Sequence, residues 1–214
     1  MKKIRIVYTI LLAIAAFLVG AIPFSVIIGH WLLGKDVTDY GDGNPGAANV
    51  FRAGGHKTGI LAVILDVAKG VPFVLLAHTL VELSTVSIII IALCAILGHA
   101  FSPFLHWRGG KAVAVTFGAL LALPEHEILL AFIAFTVIGF LLIEIDAWTV
   151  IFGTAGTLAY MGISKGSSWE PLLMFCILTI LVIKHFEALH TLPGFKGRLF
   201  RWVQSIIRGA MSIL

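Results

Sequence analysis

GDGNPGAANVFR, residues 41–52, gathers polar and turn-forming residues shortly after a long apolar run. Asn44-Pro45-Gly46 is typical of a tight turn, and Gly43 relieves the steric limits beside it. Asn49 and Arg52 are three residues apart, so they share a face if the second half of the stretch is helical. The stretch therefore predicts a polar loop that leads into a short helix.

The remainder of the chain is strongly apolar. Of its 214 residues, 59% are hydrophobic and only 12% are charged, whereas soluble domains average about 25% charged residues. A soluble core of this length cannot bury so much apolar surface, so the composition predicts a protein that is solvated by lipid. The formal net charge is +4. The basic residues lie between the apolar segments, which indicates attraction to a membrane surface. We predict no nucleic-acid partner.

Seven apolar segments are candidate transmembrane helices, because a span needs about 20 apolar residues and fewer when it packs among other helices. The fourth is short and would cross only part of the membrane. The first is longer than the apolar core of a signal peptide, about 7–15 residues. We predict an all-α polytopic membrane protein with about seven transmembrane helices in a domain of residues 1–192. The candidate spans are residues 6–33, 58–79, 85–105, 112–123, 128–143, 147–163 and 171–187.

The last stretch, residues 193–214, has a different pattern. Phe195 and Trp202 would share one helical face, and Arg201 and Arg208 would lie outside it. This arrangement is typical of a helix that lies in the membrane interface with its arginines at the headgroups. The pattern predicts a C-terminal interfacial amphipathic helix.

The polar segments share one side of the predicted bundle. With seven spans, residues 98–112 and 183–198 lie on the same side as residues 41–52. That side also carries most of the Lys and Arg residues, and such an excess marks the cytoplasmic side. The basic N-terminus argues for the opposite orientation. The pattern favours a single site that faces the cytoplasm.

Arg108-Gly109-Gly110-Lys111 opens the fourth span. Paired glycines let the backbone approach a ligand closely, and free N–H groups at a helix start favour an anion. The pattern lacks the full nucleotide-binding signature, and a solvated basic turn is the alternative. Together with the arginine-bearing loop 41–52, it favours a shared anion site.

Polar residues inside predicted spans are further candidates, because they are costly in lipid. Asp66 and Lys69 are spaced i, i+3, which predicts an ion pair, with a direct role in substrate binding as the alternative. His99 precedes a Phe-x-Pro turn, and His185 lies at the cytoplasmic end of the seventh span.

Together these segments resemble the bacterial acyl-phosphate-dependent glycerol-3-phosphate acyltransferases, the PlsY family. The family's first motif, G-S-G-N-x-G-A-T-N-V-x-R, is matched by residues 41–52, and the end of its second motif by Gly109-Gly110-Lys111. The family's D-x-x-K-G is present as Asp66, Lys69 and Gly70. The third motif, R-H-x-E-N-I-x-R-L, is kept in part, as Lys184, His185 and Glu187. The resemblance covers the chain from about residue 20 to residue 192.

The chain also departs from the family pattern. The family has serine, threonine, glycine, asparagine and arginine where this chain has Asp42, Ala48, Ala112, Ala188 and Thr191. The serine and the asparagine are positions that the family is thought to use in its active site. A relative with altered or lost activity is therefore one alternative. A small-anion membrane transporter is another, although the sequence shows neither the inverted repeats nor the paired broken helices typical of transporters.

The resemblance implies a membrane acyltransferase of phospholipid synthesis. It would move a fatty acyl group from acyl phosphate to the 1-hydroxyl of glycerol 3-phosphate, giving lysophosphatidate and inorganic phosphate. The implied partners are these two substrates, membrane lipids and a soluble acyl-phosphate synthase, and the implied location is the bacterial inner membrane. No cofactor and no metal are implied, because the mixed anhydride is already activated and the protein need only orient the substrates and stabilise charge.

Site residues follow from the motif positions. Arg52 and Lys111 are assigned to the phosphate groups. The remaining residues assigned to substrate binding are Gly43, Asn49, His99, Arg108, Gly109 and Gly110.

Three further residues complete the catalytic group that begins with Arg52 and Lys111. Asn44 holds the glycerol hydroxyls or shapes the loop. Either His185 or a substrate phosphate accepts the hydroxyl proton. Asp42 either fixes a cation and accepts that proton, or it weakens phosphate binding.

Overall fold

Ten α-helices form the part of the chain described by the computed structural model, residues 2–166 and 168–197. Within these ranges the only β-type pairing is an isolated bridge, so the all-α prediction is confirmed. The helices are α1 Lys2–Ala21, α2 Phe24–Ile28, α3 Ala47–Arg52, α4 His56–Ala68, α5 Pro72–Thr79, α6 Thr85–Ala100, α7 Val113–Leu121, α8 His126–Leu142, α9 Asp146–Lys165 and α10 Trp169–Leu189. A π-helical turn, Gly29–Leu33, extends α2, and 3-10 turns cover Val37–Asp39 and Pro103–Leu105.

Each of the seven predicted spans contains a helix, but the helices differ in length and apolarity. Among the described residues, four segments are long and apolar enough to cross a membrane: Lys2–Leu33, His56–Thr79, Thr85–Leu105 and Trp169–Leu189. Of the others, α8 is apolar with 17 residues and α7 has only 9. A membrane-spanning bundle is therefore supported, and the count of seven spans stays a prediction.

The first span is broken at Ile22-Pro23, because proline lacks an N–H group and its ring clashes with the preceding turn of a helix. The break leaves backbone carbonyls without helical partners, and two neighbouring spans supply donors. Ser102 Oγ donates to the Ala21 carbonyl at 2.6 Å. Lys69 Nζ donates to the Ile22 carbonyl at 2.8 Å. The break is thereby tied to the second and third spans.

The hydrophobic core lies around α6, which packs against α1, α5, α7 and α10, while α9 packs between α8 and α10. A second, small apolar cluster lies under the polar loop. It consists of Ile28, Val37, Val50 and Ala62. This cluster fixes α3 against α2 and α4, so the loop 41–52 rests on the ends of two spans.

The C-terminal prediction is wrong where it can be compared with the structure. Phe195 forms an antiparallel bridge with Ile143, and the Lys196 amide donates to the Leu142 carbonyl at 2.8 Å. Residues 195–197 are therefore not helical, because their backbone pairs with the end of α8. The remainder of the predicted interfacial helix, residues 198–214, lies outside the described residues.

Candidate active site

Two adjoining cavities lie at the end of the bundle where the three polar segments meet. The first has a volume of about 230 Å³ and the second of about 790 Å³. Four residues line both: Asp42, Asn44, Lys111 and His185. Arg52 lines the first cavity as well, so all five residues assigned to the catalytic group meet there.

The residues assigned to substrate binding are divided among the cavities. Asn49 and His99 line the first, and Gly43, Arg108 and Gly109 line the second. Gly110 instead lines a separate void of about 10 Å³ together with His99, and its amide donates to the His99 carbonyl at 3.0 Å. The structure thus brings all three polar segments to one place.

Asn49 organises the polar loop. It is 1% exposed, and its Nδ2 donates to Asp42 Oδ1 at 3.0 Å and to the Asn44 carbonyl at 2.9 Å. Its Oδ1 accepts from Arg52 Nη1 at 2.7 Å. The i, i+3 pairing on α3 is therefore confirmed, and it holds the guanidinium at the mouth of the first cavity.

An ion pair between Asp42 and Lys111 joins the polar loop to the glycine pair, with Nζ 2.5 Å from Oδ2. The Lys111 side chain is 34% exposed and that of Asp42 is 43% exposed. Partial burial raises the pKa of the Asp42 carboxyl, but the hydrogen bonds it accepts and the charge of Lys111 outweigh this and lower the pKa to about 2. Asp42 is therefore ionised at any physiological pH.

Other cations surround the glycine pair. Lys184 Nζ donates to the Gly109 carbonyl at 2.9 Å and lies 5.3 Å from the centre of the Phe101 ring. Among the described residues, no carboxylate pairs with Arg52 or Arg108 within 4.0 Å. The two guanidinium groups therefore remain available to an anion.

His185 is 4% exposed and lines both cavities. Its Nδ1 lies 2.8 Å from the Leu181 carbonyl. Because a carbonyl only accepts, Nδ1 carries a proton, and in the neutral ring Nε2 then keeps its lone pair. The histidine is thus arranged to accept a proton at Nε2.

Asp66 and Lys69 form the predicted ion pair at 2.8 Å, with side chains 3% and 2% exposed. Ser25 Oγ donates to Asp66 Oδ2 at 2.9 Å. On the opposite side, His99 Nδ1 lies 3.8 Å from Asp66 Oδ1. Asp66 and His99 also line the first cavity, so this buried pair lies directly behind the site.

Sequence reasoning assigned no site role to two of the residues found there. Asp146, the first residue of α9, lines the first cavity, and Lys184 lines the second. Asp66, for which substrate binding was the alternative to an ion pair, also lines the first cavity. The sequence signal that could have identified Asp146 and Lys184 is their position on the predicted cytoplasmic side. No group of three or more His, Cys, Asp or Glu side chains among the described residues could hold a metal ion.

Comparison with known proteins gives a consistent match. The family model described as glycerol-3-phosphate acyltransferase matches residues 10–193. The glycerol-3-phosphate acyltransferase of Anaeromyxobacter sp. (strain Fw109-5) is 36% identical over an alignment of 193 residues, and the match covers 86% of this chain and 92% of that one. Glycerol-3-phosphate acyltransferase 2 of Bacillus anthracis is 43% identical over 126 residues, 59% of this chain and 65% of that one.

A solved structure is also similar. The crystal structure of PlsY (YgiH), described as an integral membrane glycerol 3-phosphate acyltransferase in its glycerol 3-phosphate form, superposes with a TM-score of 0.77. It is 27% identical, and the match covers 85% of this chain and 90% of that chain.

Proposed function

The chain belongs to the glycerol-3-phosphate acyltransferase family, and on that premise we propose which reaction its site performs. It transfers a fatty acyl group from acyl phosphate to the 1-hydroxyl of glycerol 3-phosphate, releasing lysophosphatidate and inorganic phosphate. The observation that carries the proposal is the meeting of a cation-lined cavity with a wholly apolar groove. Each serves one half of an amphiphilic product.

The cation-lined half suits phosphate. Arg52 and Arg108 offer planar guanidinium groups, which bind phosphate oxygens in a bidentate manner. Lys111 offers a compact charge beside them, although Asp42 already contacts its ammonium. We assign Arg52 and Lys111 to the two substrate phosphates, with the amide of Gly109 as a further donor; the Gly110 amide already donates to the His99 carbonyl.

The apolar half suits an acyl chain. A groove of about 550 Å³ runs between α4, α7 and α8, and it is lined by Val63, Val67, Val113, Ala114, Phe117, Leu121, Leu129 and Ile133. Val113 and Ala114 also line the first cavity, so the groove begins just after Lys111. Leu121 is 49% exposed on its surface, which leaves the groove open to lipid.

The chemistry requires no nucleophilic side chain. The hydroxyl oxygen attacks the carbonyl carbon of the mixed anhydride, and the tetrahedral oxyanion collapses with departure of phosphate. Donors fixed beside the carbonyl stabilise that oxyanion, and His185 Nε2 accepts the hydroxyl proton. Asp42, with a pKa of about 2, is a poor base at working pH, so we assign it to holding Lys111.

We place the site on the cytoplasmic face of a bacterial inner membrane, where a soluble synthase would deliver acyl phosphate. The excess of Lys and Arg on that side supports this orientation. Cysteines at the exposed positions Lys57, Arg108 and Leu192, in a chain lacking Cys94 and Cys176, test it. All three are expected to react only when an impermeant reagent is admitted to the cytosol.

The decisive experiment is an assay of purified protein in nanodiscs with palmitoyl phosphate and labelled glycerol 3-phosphate. Labelled lysophosphatidate with stoichiometric phosphate is expected. Product with palmitoyl-CoA but none with palmitoyl phosphate overturns the donor. No product from either donor overturns the proposed reaction and favours the relative with lost activity.

A further inference from the structure

Four polar side chains form a cluster inside the bundle that the proposed chemistry does not use. Ser25, Asp66, Lys69 and His99 are 1%, 2%, 4% and 7% exposed. They come from the first three spans. Polar groups at such depth are costly, and a buried ion pair is a poor source of stability because desolvation offsets the attraction. The cluster therefore invites a functional explanation.

One side of this buried polar cluster is anchored to backbone. Lys69 Nζ donates to the Ile22 carbonyl at 2.8 Å, at the break in the first span. Ser25, just beyond that break, donates to Asp66 at 2.9 Å. Asp66 thus contacts Lys69 and Ser25, and both of these residues are tied to the break in the first span.

The other side of the cluster touches the glycine pair. The Gly110 amide donates to the His99 carbonyl at 3.0 Å. A Cβ atom at Gly110 would collide with His99 Nε2, and one at Gly109 with the His99 carbonyl. The backbone of residues 109 and 110 therefore lies flush against His99. The position of His99 therefore determines where the backbone places the next residue, Lys111.

We propose that Asp66, whose Oδ1 lies 3.8 Å from His99 Nδ1, is a positioning residue for the acyl transfer, acting through His99 to hold the Gly109–Gly110 backbone and Lys111 in their anion-binding placement. His99 serves as the template between them. The inference rests on the proposed function, in which the Gly109 amide and Lys111 bind substrate phosphate. It separates residues that touch phosphate from residues that keep the phosphate contacts in place.

Kinetics of Asp66→Asn distinguish positioning from mere folding. A misplaced glycine pair weakens phosphate binding, so we expect the KM for at least one phosphate substrate to rise tenfold or more, with kcat changed less than threefold. A purely structural loss lowers the fraction of active protein, which lowers kcat and leaves both KM values unchanged. That second pattern would overturn the proposal.

A milder variant guards against failure to fold. Ser25→Ala removes only one hydrogen bond to Asp66, and we expect a two- to fivefold rise in the same KM. The matched control is Glu127→Gln, which removes the carboxylate of an ion pair outside the cavities. In that pair Glu127 Oε2 lies 2.7 Å from Lys165 Nζ. We expect its KM values to equal those of the parent, and an equal rise in the control would contradict the assignment.

A double-mutant cycle tests the contact through which Asp66 acts. Gly110→Ala and His99→Ala are each expected to raise the KM tenfold or more. Combined, they are expected to cost about as much as His99→Ala alone, because removing the ring makes room for the new methyl group. Multiplicative effects would show that His99 does not template the glycine pair.

The parent enzyme separates the two levels of inference. If it yields no lysophosphatidate from acyl phosphate or from acyl-CoA, the proposed function fails. If it yields product and Asp66→Asn and Ser25→Ala keep both parental KM values, only the positioning role fails.

Discussion

The site contains two lysine–carboxylate pairs that differ in their surroundings. Asp42 and Lys111 meet across 69 residues of sequence with both side chains more than 30% exposed. Asp66 and Lys69 are neighbours on one span, and neither side chain is more than 3% exposed. The same type of ion pair therefore occurs once at a partly exposed position and once in the interior of the bundle.

The difference in dielectric gives the two pairs different uses. Two unit charges 4 Å apart attract by about 1 kcal/mol in water and by about 4 kcal/mol at the effective dielectric near a protein surface. In the proposed reaction, a substrate phosphate can therefore compete with Asp42 for Lys111. The Asp66–Lys69 pair is a permanent part of the frame. The contrast between an exchangeable contact and a fixed one can be tested.

The largest expected effect is on stability and comes from Lys69→Met. This change leaves the Asp66 carboxylate buried without its partner, which typically costs about 3–5 kcal/mol. It also removes the donor to the Ile22 carbonyl. Thermal unfolding in detergent measures the loss. The control is Lys111→Met, the same change in the exposed pair, with an expected loss of at most about 1 kcal/mol. Equal losses would break the comparison.

The next effect is on activity and comes from Lys111→Ala. Losing a charge-assisted contact to phosphate costs about 1.5–3 kcal/mol in binding, or about 10- to 150-fold. We expect larger losses if the ammonium acts in the transition state, with insertion and folding unchanged. Steady-state kinetics beside an unfolding curve provide the measurement. Parental kinetics in this variant would refute the anion site.

A smaller effect is expected from Asp42→Ser, which restores the residue of the family pattern. An exposed ion pair contributes about 0.2–1 kcal/mol, so we expect kcat to fall by no more than about fivefold as Lys111 loses its support. A serine variant that is faster than the parent, with tighter glycerol 3-phosphate binding, would show that Asp42 hinders phosphate binding.

The pH dependence sharpens the same assignment. A depressed carboxyl pKa gives stability that is present above its ordinary value of about 3.9 and is lost as pH falls through its folded value, here about 2. Asp42 therefore keeps its charge over a working range of about pH 5–9. We expect the pH–rate profiles of parent and Asp42→Ser to have the same shape over that range. An acidic limb present only in the parent would restore Asp42 as a proton acceptor.

The smallest effect is expected from Ala112→Gly. Ala112 has a φ of +62°, a left-handed conformation that costs a non-glycine residue about 1–2 kcal/mol. Glycine relieves this strain but adds freedom to the unfolded chain worth about 0.4–1 kcal/mol. We expect a stability gain of at most about 1.6 kcal/mol and, on activity, the smallest change of the series, a rate within twofold of the parent. A large loss of rate would show that rigidity after Lys111 matters.

Local sequence signals predicted the local contacts. The i, i+3 spacing gave both the Asn49–Arg52 hydrogen bond and the Asp66–Lys69 pair, because helical geometry alone determines such neighbours. The resemblance drew the distant segments to one site. It did not determine which cation Asp42 would contact, since that choice depends on how α7 packs.

Other features were beyond local reasoning. Lys184 reaches the Gly109 carbonyl across 75 residues, and no spacing rule links them. The broken first span was readable at Pro23, but its repair by Lys69 and Ser102 depends on tertiary packing. The non-helical course of Phe195 arises from pairing with Ile143, which competes with an otherwise amphipathic pattern.

The groove between α4, α7 and α8 has a consequence for how this enzyme meets its donor. Because its wall is partly exposed at Val63, Leu121 and Ile133, the proposed reaction would take its acyl tail sideways from the bilayer and release its product the same way. The effective donor concentration is then a mole fraction in the membrane plane. Diluting acyl phosphate with inert lipid at constant bulk amount would slow the reaction, whereas diluting the aqueous phase would not.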